Sequence, residues 1–253
     1  MSDELLAVAV EAARAAAAVL VARYEAAGGP LDLQTKSTPP DLVSAADLDA
    51  ERAIRAVLAR RRPDDAILGE EGDDVPGTSG LRWVVDPLDG TVNYLFGIPQ
   101  WCVSVACEDR AGVILDPLRG ECFAAAAGGP ATVGGEPLRP SSGEDLSRAL
   151  VATGFAYDAG LRARQAELVA RLLPTVADIR RMGSAALDLA WTAAGRYDAF
   201  FERGVNAWDI GAGTMLCAAA GLEVRTLEAR DGLPAGVLAA PAGLGGELLA
   251  LVG

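Results

Sequence analysis

Trp83-Val84-Val85-Asp86-Pro87-Leu88-Asp89-Gly90-Thr91-Val92-Asn93-Tyr94 is the stretch from which the rest of the chain can be read. Its opening residues are apolar and β-branched, the pattern of a short buried strand. Pro87 fixes φ and biases Asp86 toward an extended backbone, which predicts that the strand ends at Asp86. Asp86 and Asp89 would then meet on one side of a turn. Carboxylates held together repel unless one takes a proton or a cation sits between them. Gly90 permits close backbone approach, and Thr91 would open a helix whose free N–H groups face an anion. Carboxylates beside an anion nest suggest a divalent metal and a phosphate bound side by side. An ordinary turn with two solvated aspartates is the competing reading of these residues alone.

Acids elsewhere weigh against that competitor. Ala66-Ile67-Leu68 reads as a strand that runs into Gly69-Glu70-Glu71-Gly72, so a second strand terminates in acids flanked by glycine. Asp209, in Asn206-Ala207-Trp208-Asp209-Ile210-Gly211, would open the last long helix, where a carboxylate gains from the helix dipole. Ser44-Ala45-Ala46-Asp47 has the form of a capping box that opens a helix to about Arg62.

Composition narrows the chemistry. The 253 residues are 51% hydrophobic, enough for one large domain or two packed lobes. A net charge of −13 without a basic patch argues against nucleic-acid binding. Histidine is absent, which removes histidine bases, Ser-His-Asp triads and His-ligated zinc. Cys102, Cys107, Cys122 and Cys217 form no CxxC pair and read as reduced, mostly buried thiols of a cytoplasmic protein. Asp3 and Glu4 stand where a signal peptide would be basic. The Ala-rich helix from about Glu4 to Ala27 is interrupted by Glu11, Arg14 and Arg23, so no membrane span is expected.

Residues 31–36 alternate like a strand, and residues 37–40 read as a loop. Residues 73–80 read as a polar, mobile loop. Three alternating segments, Cys102–Glu108, Gly112–Leu115 and Cys122–Ala126, form a meander. The composition shifts near Pro140-Ser141-Ser142-Gly143, which divides the chain into lobes 1–140 and 141–253. Beyond that point strands near 149–152, 178–182, 197–202 and 222–224 alternate with helices near 162–173, 184–194 and 208–219, the pattern of a layered α/β lobe.

Gly69-Glu70-Glu71, the Trp83–Tyr94 stretch and Trp208-Asp209-Ile210-Gly211-Ala212-Gly213 occur in an order and at separations that resemble the inositol monophosphatase family of magnesium-dependent, lithium-sensitive phosphatases. Lys36-Ser37 and Asp41–Asp47 look like its N-terminal motif, and Arg181–Ala190 resembles its substrate-side segment; the resemblance runs from Lys36 to Val224. It implies an α/β fold, a layered αβαβα sandwich with the metal site between two lobes. It implies that Glu70, Asp86 and the Leu88 carbonyl hold one Mg²⁺, that Asp86, Asp89 and Asp209 hold a second, and that a third, weaker ion sits near Glu70. The Gly90 and Thr91 N–H groups would cradle phosphate. Asp47 and the Thr91 hydroxyl would orient the attacking water. Glu202, Ser184 and Ala185 would face the substrate.

The expected reaction is hydrolysis of a small phosphorylated polyol by direct attack of a metal-activated water, without nucleic acid or membrane as partner and in a homodimer. Asp86 and Asp89 are three apart, whereas the D-x-D-G-T of aspartyl-phosphate enzymes needs two, which favours direct attack. Inositol 1-phosphate is the first substrate candidate and histidinol phosphate the second. Val205-Asn206-Ala207 precedes Trp208 where many family members carry proline, a departure that bears on substrate identity. A catalytically silent, metal-dependent regulatory scaffold is the alternative of a different class.

Overall fold

The computed structural model describes residues 2–27 and 45–253. The expected strand at 31–36, the loop at 37–40, and residues 41–44 with the Ser44 cap lie outside them.

Helices α1 (Ser2–Ala27) and α2 (Ala45–Arg61) form the first layer. Each buries one stripe: Leu5, Ala12, Ala16 and Leu20 on α1, Ile54 and Leu58 on α2. Beneath them lies a seven-stranded sheet in sequence order: β1 (Ala66–Gly69), β2 (Arg82–Asp89), β3 (Cys102–Cys107), β4 (Ala111–Asp116), β5 (Glu121–Ala126), β6 (Thr132–Val133) and β7 (Glu136–Pro137). β1 pairs parallel with β2, and the other neighbours are antiparallel. Val103 and Val105 of β3 face the α1–α2 layer, while Cys102 and Ala106 face the opposite way, so this sheet is covered on both sides.

The second half supplies β8 (Leu150–Thr153), α4 (Ala159–Leu172), β9 (Asp178–Arg180), α5 (Ala185–Ala193), β10 (Ala199–Arg203), α6 (Ala207–Ala220), β11 (Glu223–Leu227), β12 (Gly236–Ala240) and α7 (Ala242–Val252). Its five strands run in the order β11-β12-β10-β8-β9, with β10, β8 and β9 parallel. α5 and α6 are the shared middle layer. Leu187 and Leu216 pack with Ile114 and Phe123 of the first sheet and with Phe200 and Ala239 of the second. α4 and α7 close the far side, through Leu168, Leu244 and Leu248 against Val151, Phe201 and Leu238. The architecture is therefore αβαβα. The sheets change over between Pro137 and Leu150, while the middle layer ties the two halves together.

Two expectations need correction. β2 does not end at Asp86 but continues to Asp89. Asp86 pairs with Ser104 and Asp89 with Cys102, three steps on one strand against two on the other, so a β-bulge lies between them. A proline that cannot donate to the ladder is tolerated at a bulge. The loop at 73–80 is tied down rather than free: Val75 and Ile67 exchange two backbone bonds of 2.9 Å, and Thr78 and Ser79 both donate to the Asp64 carbonyl. α1 has, by length and composition, what a membrane span requires, its interrupting charges notwithstanding. Its apolar stripe is nevertheless the one buried against α2 and the first sheet. All four cysteines are free.

Candidate active site

The bulge decides how the central motif is used. Side chains alternate along a strand, so residues three apart point to opposite faces. The extra residue at Pro87-Leu88 restores the parity. Asp86 and Asp89 line the same cleft, of about 210 Å³, together with Glu70 and Asp209. Gly90 follows at φ 102°, in the left-handed region. A Cβ there would stand 2.8 Å from the Gln100 carbonyl oxygen, so both conformation and space require glycine. The chain then enters the short helix α3 (Thr91–Leu95).

Each of the three aspartates has one oxygen tied by a backbone amide. The Leu88 N–H donates to Asp86 Oδ1 at 3.0 Å. The Ala186 N–H and the Ser184 hydroxyl, at the N-terminus of α5, donate to Asp89 Oδ2 at 2.6 and 2.7 Å. The Asn206 N–H donates to Asp209 Oδ2 at 2.6 Å, within a capping box that starts α6. A strand bulge and two helix starts thus fix three carboxylates from separate parts of the chain. In each, the second oxygen is not committed to these bonds.

Among the described residues, no hydrogen-bonded cation neutralises this cluster. Burial, followed by repulsion from Glu70, Asp89 and Asp209, lifts the Asp86 carboxyl well above its usual range. Burial and the Asp209 charge push Asp89 up to about 7, against the bonds from Ser184 and the α5 amides. Burial also raises Asp209. Glu70 is pushed up to about 8, first by burial of its carboxyl end and then by Asp209, Glu71 and Asp89, while a hydrogen bond with Asp86 acts the other way. Because Glu70 as a whole is exposed, solvent weakens both the burial and the repulsion that raise it. The Glu70–Asp86 bond needs a shared proton, and it raises Asp86 while lowering Glu70.

Hard carboxylate oxygens suit Mg²⁺ or a similar divalent ion. Among the described residues, however, no three such side chains are already gathered into a cation cage. Their mutual repulsion is what a divalent charge would relieve. The donor chemistry fits the metal that the sequence implies.

The remaining expected residues divide in two. Gly90, Thr91, Ser184, Ala185, Glu202 and the Leu88 residue line the cleft. Asp47 does not; it is buried behind it and meets the Thr91 hydroxyl at 3.2 Å, while that hydroxyl also lies 3.0 Å from the Leu88 carbonyl. Ser184 turns out to brace Asp89 as well as to line the wall. Two residues went unassigned at the level of sequence. Asn206 orients Asp209 through its main chain, and Asn206-Ala207-Trp208-Asp209 has the capping-box form that was its available signal. Asp188 lies 1% exposed on α5 and lines the cleft; an acid inside the apolar run Ala185-Ala186-Leu187-Asp188-Leu189-Ala190 was its available signal.

Comparison with known proteins places this geometry in a lineage. The family model described as "Inositol monophosphatase family" matches residues 1–252. An inositol-1-monophosphatase of Mycobacterium leprae is 45% identical over 241 residues, 89% of this chain and 82% of its own. A protein of Pasteurella multocida named Nus factor SuhB is 41% identical over 87% of this chain and 84% of its own. Among solved structures, the extragenic suppressor protein suhB of Bartonella henselae superposes with a TM-score of 0.88 at 34% identity, over 98% of each chain. The chain belongs to the inositol monophosphatase family, and with it to a family of phosphatases that is generally metal-dependent.

Proposed function

We propose that this chain is a Mg²⁺-dependent phosphate-monoester hydrolase whose first substrate candidate is inositol 1-phosphate, with histidinol phosphate second. The observation that carries the reading is the convergence of Glu70, Asp86, Asp89 and Asp209 on one cleft wall, with no neutralising cation among the described residues. In this reading Glu70, Asp86, Asp89, Asp209 and the Leu88 carbonyl would hold the divalent ions, with Asp86 as the ligand expected to serve more than one of them. Bound Mg²⁺ supplies neutralisation of phosphate charge and eased ionisation of water.

The protein's own groups do the rest. The Gly90 and Thr91 N–H groups orient the phosphate at the turn where Gly90 is indispensable. The Thr91 hydroxyl and Asp47, 3.2 Å apart, orient the attacking water and take up its proton. Glu202 and the wall at Ser184 and Ala185 meet the polyol. Direct attack by water is the expected route, because Asp86 and Asp89, three apart, would serve as metal ligands rather than as a nucleophile. The expected setting is a cytoplasmic homodimer.

Phosphate release from a panel of monoesters, with Mg²⁺ and with a chelator, tests this reading. Turnover of inositol 1-phosphate that vanishes on chelation, and uncompetitive inhibition by millimolar Li⁺, are the expected results. No release from any monoester at saturating Mg²⁺ would overturn it. That result would favour the second reading, a regulatory scaffold, which the relatives named Nus factor SuhB keep in view. A charge of −13 makes direct contact with nucleic acid a poor basis for such a role.

A further inference from the structure

The cleft has acids that the metal cluster does not use. Asp188 sits in α5 between Leu187 and Leu189, both fully buried, and its own exposure is 1%. Its Oδ1 has no hydrogen-bond partner among the described residues. A carboxyl buried without a partner is costly, and the cost is recovered only when a donor arrives. The cleft is where a donor can arrive, since Asp188 lines it.

Glu202 of β10 lines the same cleft and lies close enough to Asp188 to repel it. Room for that carboxyl is provided by Gly154: a Cβ there would stand 2.1 Å from it. The two arginines of the cleft do not answer these acids. Arg203 spends its guanidinium on the carbonyls of Val252, Glu228 and Pro234. Arg181 is exposed, although its charge does reach Asp188.

We infer that Asp188 is a second carboxyl contact for the substrate, beside Glu202, and that the pair takes the hydroxyl-bearing end of a polyol phosphate. Burial lifts Asp188 well above the usual carboxylate range, with repulsion from Glu202 and Asp89 adding to it, and pushes Glu202 up to about 8. A carboxyl in its neutral form both donates and accepts, which matches a hydroxyl and leaves an ammonium without a charge partner. Two such groups side by side select a head with at least two hydroxyls. Asp188 is thus a specificity residue, and this role rests on the phosphatase reading above.

The test uses two substrates that share a six-carbon ring, inositol 1-phosphate and cyclohexyl phosphate, which lacks the hydroxyls. The wild type should favour inositol 1-phosphate in kcat/KM, and Asp188→Ala, which removes both the donor and the acceptor, should reduce that ratio about tenfold, the scale of a lost hydrogen bond. Asp188→Ser should shift the ratio in the same direction, which keeps the test open should the first variant fold poorly. A structural role would slow both substrates together and leave the ratio alone. A ratio within twofold of wild type in both variants overturns the assignment. A wild type that hydrolyses cyclohexyl phosphate and inositol 1-phosphate equally well, with Mg²⁺, overturns the subsite but leaves the phosphatase reading standing. Hydrolysis of neither overturns both.

Discussion

Asp65 and Asp86 are buried alike, 3% and 1% exposed, at the two ends of one short path along β2. Asp65 is answered by the protein itself. Arg62 donates to both of its oxygens, at 2.8 and 3.3 Å, and the Trp83 indole donates at 2.9 Å. Burial works to raise its carboxyl, but the bonds from Arg62, Ser79 and Trp83 prevail and hold it below the usual range. Asp86, three residues beyond Trp83, has one backbone amide and a ring of other acids, and is driven the opposite way. The chain can therefore neutralise a buried acid when structure is all that is required. Leaving Asp86 and its neighbours unanswered marks the place where charge is to come from outside.

The strongest way to break this contrast is Asp86→Asn. It should lower kcat at least about a hundredfold, on the scale of a lost interaction with transition-state charge, without lowering the thermal midpoint of the metal-free protein. Steady-state kinetics at saturating Mg²⁺ together with calorimetry check both halves. A retained kcat above about a tenth of wild type would remove Asp86 from its shared position.

Glu202→Ala sharpens the contrast at the far end of the cleft. The kcat/KM preference for inositol 1-phosphate over p-nitrophenyl phosphate should fall by about 1.5–3 kcal/mol. An unchanged preference, with both substrates slowed together, would assign Glu202 to supporting the metal wall. Asp65→Asn is the complementary substitution. It should lower the unfolding free energy by about 1.5–3 kcal/mol in chemical denaturation, because a hydrogen-bonded charge is removed from a buried site. A neutral result would mean that Asp65 is no better answered than Asp86.

The smallest effect is a pH slope. Asp89 ionises near 3.8 in an unfolded chain and holds its proton to about 7 in the folded one. Folding thus takes up a proton between these values, and its contribution is present below about 3.8 and lost as pH rises to 7. Asp65, held low, has the opposite sign: its contribution is present above 3.8 and lost as pH falls. In metal-free protein, Asp89→Asn should flatten the decline of the thermal midpoint between about pH 4 and 7. Equal slopes in the two proteins would contradict the assignment.

Much of this was legible from residue types. The absence of histidine and the motifs around Glu70, Asp86 and Asp209 led to carboxylate chemistry, and the strand–helix alternation after residue 140 led to a layered α/β arrangement. Strand continuity at Pro87 was not legible, because a proline looks the same at a strand end and at a bulge, and only cross-strand register separates them. The loop at 73–80 looked free because its anchors, Ile67 and Asp64, are main-chain partners without a side-chain signature. Asp188 was quoted within its segment without a role, since burial depends on which face of α5 meets the sheets. The Asn206 amide that steadies Asp209 did leave a mark, the capping-box spacing of Asn206 and Asp209, which was read only as a helix start.

One contact reaches beyond geometry. Asp89 is held by Ser184 and Ala186, across sequence separations of 95 and 97 residues. The site therefore cannot mature on the first sheet alone; it is completed only when α5 docks and closes a long loop of chain, an entropically expensive step. Any ion that then binds the finished cluster favours the docked molecule by mass action. Metal supply would act on this protein as a clasp between its halves, slowing the excursions in which α5 lifts from the first sheet and protecting the chain from proteases as a by-product of readying it for catalysis.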